Sequence, residues 1–68
     1  MTDILDALHA HALGNIGIHK INIQIYMDNP VGVGEHSDVL EAIQSELDKM
    51  AVHQDRLELI ERLQHDDC

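Results

Sequence analysis

The sequence predicts an α+β fold in one small domain, ordered as helix, strand and long helix. Three observations carry that expectation. Apolar and polar residues alternate over 19–27, apolar residues step by 3, 4 and 3 from Leu40 to Met50, and a connection with Pro30, Gly32 and Gly34 separates the two. The first is the period of a half-buried strand, the second that of a coiled-coil seam.

Residues 3–13 read as a short helix. Ile4, Leu5, Leu8 and Ala12 share one face at helical spacing. Thr2 or Asp3 can cap its start, and Gly14 suits the position after its end. A helix this short must dock to persist.

Residues 19–27 read as the strand. Ile21, Ile23, Ile25 and Met27 point one way, and Lys20, Asn22, Gln24 and Tyr26 the other. The three β-branched isoleucines suit a pleated, half-buried surface. Ile16 and Ile18 alternate on the opposite parity, so a bulge near His19-Lys20 or a bend at Gly17 is needed to include them. In residues 28–36, Asn29-Pro30 initiates a turn, and the glycines allow strand and helix to meet at an angle.

Residues 38–65 read as one amphipathic helix. Asp38 and Glu41 form a D-x-x-E capping box, with Ser37 as a competing cap. The seam of Leu40, Ile43, Leu47 and Met50 resumes at Leu57 and Ile60, but Gln54 interrupts it. A second box at Asp55-x-x-Glu58 offers a break near His53; no Gly or Pro enforces one, and a continuous helix is favoured. Its length of ~42 Å exceeds the width of a compact domain of this size.

At 68 residues the chain is one domain at most, with a marginal core. Small scaffolds are usually held by disulfides, a metal or a partner chain. Cys68 is the only cysteine, which excludes an internal disulfide and favours a reduced, cytoplasmic setting. Two features call for a second copy. The lone strand has no partner in the chain for its backbone groups, and two-fold pairing with the same strand of another copy supplies one. The distal helix, with Leu57, Ile60 and Leu63, has no surface of its own to cover it. The expected state is a homo-oligomer, with Ile21, Ile23, Ile25, Leu47, Met50, Leu57, Ile60 and Leu63 at the contact.

Net charge is −9, from 13 acidic and 4 basic residues. Phosphate neutralisation needs clustered Lys and Arg, so direct nucleic-acid binding is not expected. The charge also disfavours an anionic membrane surface, and no apolar run reaches the ~18 residues of a membrane span. An acidic start at Met1-Thr2-Asp3 is unlike a signal peptide.

The chain has six histidines. His9 and His11 fall on different faces of a helix, and no H-x-x-x-H pair occurs. His36 with Asp38, and the tail His65-Asp66-Asp67-Cys68, hold suitable ligand types without fixed geometry. Gly32-Val33-Gly34 has neither phosphate-loop spacing, and Glu35 and Asp38 add negative charge there. Ser37 and Ser45 lack an orienting partner, and the carboxylates fall on solvated helix faces. No catalytic, cofactor or metal residue is therefore assigned, no cofactor is expected, and the chain reads as non-enzymatic.

The tract Tyr26 to Val39, YMDNPVGVGEHSDV, followed by Glu41, Ala42, Ile43 and the acidic helix, resembles small uncharacterised proteins of T4-like tailed phages, particularly those of marine cyanophages. The resemblance spans Ile21 to Ile60. It implies a phage-encoded accessory protein of the host cytoplasm and carries over no functional residues. The leading reading is thus a homo-oligomeric interaction protein. An acidic inhibitor that mimics nucleic acid at a basic site of a host protein is one alternative, and a metal-binding protein another.

Overall fold

A computed structural model describes residues 3–28 and 36–66. It is a hairpin of two helices, α1 (Ile4–Asp28) and α2 (His36–Asp66), with extents of 50 × 17 × 13 Å. The long dimension is close to the ~46 Å of a helix the length of α2. Asp6 lies beside Gln64, His9 beside Glu61 and Asn22 beside Glu46, so the helices run antiparallel.

The α+β expectation is overturned: no strand occurs among the described residues, and 19–27 belongs to α1. Gly14 does not end the first helix, and neither a bulge near His19 nor a bend at Gly17 is present. Strand pairing between copies falls with the strand. The physical reason lies in the spacing. Leu5, His9, Ala12, Ile16, His19, Ile23 and Tyr26 step by 4 and 3 along α1, and all are buried or half-buried. That is a heptad seam, with Ile18, Ile21 and Ile25 forming a second apolar stripe on another side of the same helix. Over nine residues, two such stripes interleave into what looks like alternation. The helix also pairs the backbone groups that a lone strand leaves open. Isoleucine's β preference is too weak to oppose this.

Asp3 caps α1. Its Oδ1 accepts from the Asp6 amide at 2.9 Å, its own amide donates to Asp6 Oδ2 at 3.4 Å, and its carbonyl accepts from the Ala7 amide at 3.1 Å. This is a reciprocal capping box built on two aspartates.

The C-terminal helix is continuous through His53 and Gln54, as favoured. Its start is corrected: Asp38 lies inside the first turn, where its charge suits the helix dipole, and is not the cap. Its seam is corrected by one residue. Val39, Ile43, Glu46, Met50, His53, Leu57, Ile60 and Gln64 face α1, whereas Leu40 and Leu47 are exposed. Both phasings share Ile43, Met50 and Leu57, and only the observed one reaches Ile60 without a shift, with His53 rather than Gln54 in the seam. The distal half of α2 therefore has a partner within the chain, the first half of α1. The turn at Asn29-Pro30, Gly32 and Gly34 lies outside the described residues.

The buried apolar set is small: Ala12, Val39, Leu57 and Ile60. Ala12 is fully buried, and its short side chain lets the helices approach closely.

Candidate functional site

Two features stand out on this frame: a polar layer inside the hairpin and an apolar face outside it. The seam places His19 and Asn22 of α1 opposite Glu46 of α2, near mid-hairpin. Glu46 is only 6% exposed. Its Oε1 accepts from Asn22 Nδ2 and from His19 Nδ1, the latter at 3.4 Å, and Lys49 Nζ lies 3.8 Å from Oε2. The Asn22 hydrogen bond holds the Glu46 carboxyl below the usual carboxylate range. Burial opposes this, and His19 and Lys49 add to it.

Two turns further along α2, His53 stacks on His19, with ring centroids 5.8 Å apart and planes at 17°. His11 meets His53 edge-on at 6.5 Å and 73°. The Nδ1 atom of His53 is buried and has no hydrogen-bond partner among the described residues. Burial pushes its pKa below the ordinary histidine value, and the charges of Arg56, His19 and His11 push the same way. His53 is therefore neutral near pH 7. Asn15 Nδ2 donates to the His11 carbonyl at 2.9 Å and holds that edge of the cluster.

Outside this layer, His9 Nε2 lies 3.0 Å from Glu61 Oε2, and Gln64 Nε2 donates to Asp6 Oδ1 at 2.8 Å. These contacts set the register at the open end of the hairpin. His9 and His11 reach different partners, as their spacing implies. Among the described residues no group of three or more His, Cys, Asp or Glu is placed to hold a metal ion. The near-parallel rings of His19 and His53 stack face to face and do not converge on a common point. Asp67 and Cys68 lie outside the described residues.

The other expected contact residues divide between the two features. Ile23, Met50, Leu57 and Ile60 lie in the seam between the helices. Ile21, Ile25, Leu47 and Leu63 are exposed. On α1 the exposed set continues with Ile4 (78% exposed), Leu8 and Ile18. Ile4, Ala7, His11, Gly14, Ile18, Ile21 and Ile25 step by 3 and 4, so α1 carries a second heptad stripe that its own hairpin leaves uncovered. Sequence reasoning missed Asn22, Glu46 and the histidine stack, because a strand at 19–27 separates residues that one helical seam aligns. A heptad count from Leu5 and from Val39 finds His19, Glu46 and His53, and Asn22 lies next to the seam position Ile23.

No helix among the described residues is long and apolar enough to cross a membrane. Comparison of the chain with protein-family models, with curated proteins and with solved structures finds no match.

Proposed function

We propose that this chain is a non-enzymatic, homo-oligomeric interaction module built on a helical hairpin. One observation carries the reading: the distribution of apolar residues is inverted. The seam spends core positions on His19, Glu46 and His53, while Ile18, Ile21, Ile25, Leu47, Leu59 and Leu63 stay exposed. Isolated exposed apolar residues are ordinary, but a contiguous set marks a contact surface. The buried polar layer supplies register specificity at a cost in stability, the best-attested use of such groups in paired helices. The resemblance to phage proteins fits a small accessory component of the host cytoplasm.

The acidic-mimic alternative has less support. Glu41, Asp48 and Asp55 repeat every seven residues on the exposed side of α2, ~10.5 Å apart, and Arg62 takes the next place. Duplex DNA carries a charge every ~1.7 Å of axis. Light scattering at micromolar concentration tests the proposal. A mass of two or more times 7.7 kDa supports it. A single-chain mass across that range overturns it.

A further inference from the structure

The uncovered stripe of α1 has a definite shape. Its N-terminal half holds the small Ala7 and Gly14 after Ile4, with His11, whose ring also meets His53, between them. Its C-terminal half is large, with Ile18, Ile21 and Ile25. In a parallel pair, isoleucine meets isoleucine and glycine meets glycine, which leaves a void at one end. In an antiparallel pair centred near Ile16, Ile18 of each copy lies over Gly14 of the other, and Ile25 over Ala7. The same register sets Ile21 over His11, so large meets small at the Ile18–Gly14 and Ile25–Ala7 positions of a two-fold contact, the interdigitation that close-packed helices need.

The glycine is consistent with this. A Cβ on Gly14 would meet nothing within 4 Å, as at Gly17 off the stripe, so no contact among the described residues requires a glycine there. Glycine within a helix is otherwise unfavourable, and approach of another backbone is a use that repays it.

Charge selects the same face. Lys20 is the only formal charge from Ala7 to Met27, whereas α2 carries eight acids and three bases. From Ala7 to Met27 two copies can meet through α1 without opposing carboxylates, and the acidic α2 helices then stand apart on the flanks. The hairpin is more open than a compact monomer: it exposes 5194 Å², where roughly 4300 Å² is expected at this mass.

We infer that the stripe Ile4, Ala7, Gly14, Ile18, Ile21 and Ile25 is the seat for α1 of a second copy, running antiparallel, in a four-helix dimer. The inference rests on the oligomeric reading above and specifies its contact.

Sedimentation equilibrium on the full chain and on two double variants tests it. The wild type is expected at twice the chain mass. Ile18→Lys with Ile21→Lys halves that mass while the helical circular dichroism persists, because both side chains point away from α2. Leu40→Lys with Leu47→Lys, on the exposed flank of α2, keeps the dimer. If the first variant stays dimeric, or the second dissociates, the α1 contact is overturned and the oligomeric reading survives. A monomeric wild type overturns both, and its flotation with phosphatidylcholine vesicles then assigns the stripe to a lipid surface. Should the lysine variant unfold, disulfide trapping in a Cys68→Ser background decides. Gly14→Cys mixed with Ile18→Cys links into a mixed dimer, and Ile4→Cys alone gives none. Linkage of Ile4→Cys to itself, or no linkage between the first two, overturns the antiparallel contact.

Discussion

At the scale of single residues, the polar layer makes the hairpin acid-sensitive. His53 has a folded-state pKa below its ordinary value, so the unfolded chain binds a proton more readily. Stability from His53 is complete above the unfolded value of about 6.5 and falls as pH drops below it. Glu46 is depressed as well, and its contribution is lost at lower pH, as the carboxyl protonates below the usual carboxylate range. Thermal melts between pH 8 and pH 2 should therefore show a midpoint that declines in two stages. His53→Leu should raise the midpoint at pH 7 by several degrees and remove the first stage. An unchanged pH profile in that variant would show that His53 is not the titrating group. Ala12 is sensitive to size rather than charge. Ala12→Leu should cost about 1–3 kcal/mol in a urea titration, since the added atoms must enter a position that is already fully buried. At this scale the sequence was legible where spacing alone decides, as for His9 and His11. It was illegible where contact depends on the partner helix, as for Asn22 with Glu46.

At the scale of elements, the long C-terminal helix was legible and α1 was not. Residues 19–27 satisfy two periods at once, because Ile23 belongs to the inner stripe and Ile21 and Ile25 to the outer one. A short window cannot separate those stripes, but the full 25 residues of α1 do. The seam of α2 was misphased for a related reason. Leu40 and Leu47 are larger and more apolar than Val39 and Glu46, yet the smaller and more polar pair faces α1. Hydrophobicity favours one phasing, and continuity to Leu57 and Ile60 the other. Two substitutions probe the elements. Gly17→Ala should stabilise the hairpin by about 0.5–1 kcal/mol, because a Cβ there meets nothing within 4 Å and alanine is the better helix former. Ile60→Ala should destabilise it by about 2–3 kcal/mol, the low end for a core truncation, because the seam is narrow. Both are read from the denaturant midpoint at fixed protein concentration.

At the scale of the whole molecule, a two-helix hairpin has too little interior to cover its own apolar residues. Its radius of gyration is 15.4 Å. A compact chain of this length has ~11 Å. The elongated form leaves α1 wrapped on one side only, and the uncovered side is nearly free of charge. If copies associate there, folding and association are linked, and the thermal midpoint rises with protein concentration. A midpoint constant over a hundredfold range of concentration would count against that linkage. The sequence predicts, from its length, that the chain needs a partner copy. It attached the need to strand edges and to the distal half of α2, whereas the uncovered surface on α1 is a helix face. The hairpin, its polar layer and its outer stripe all require α1 to be one helix through residues 19–27. Cα secondary chemical shifts from solution NMR measure this directly. The expected result is an unbroken run of positive shifts from Ile4 to Asp28. Negative shifts across 19–27 would restore the strand and contradict the hairpin, its polar layer and its outer stripe together.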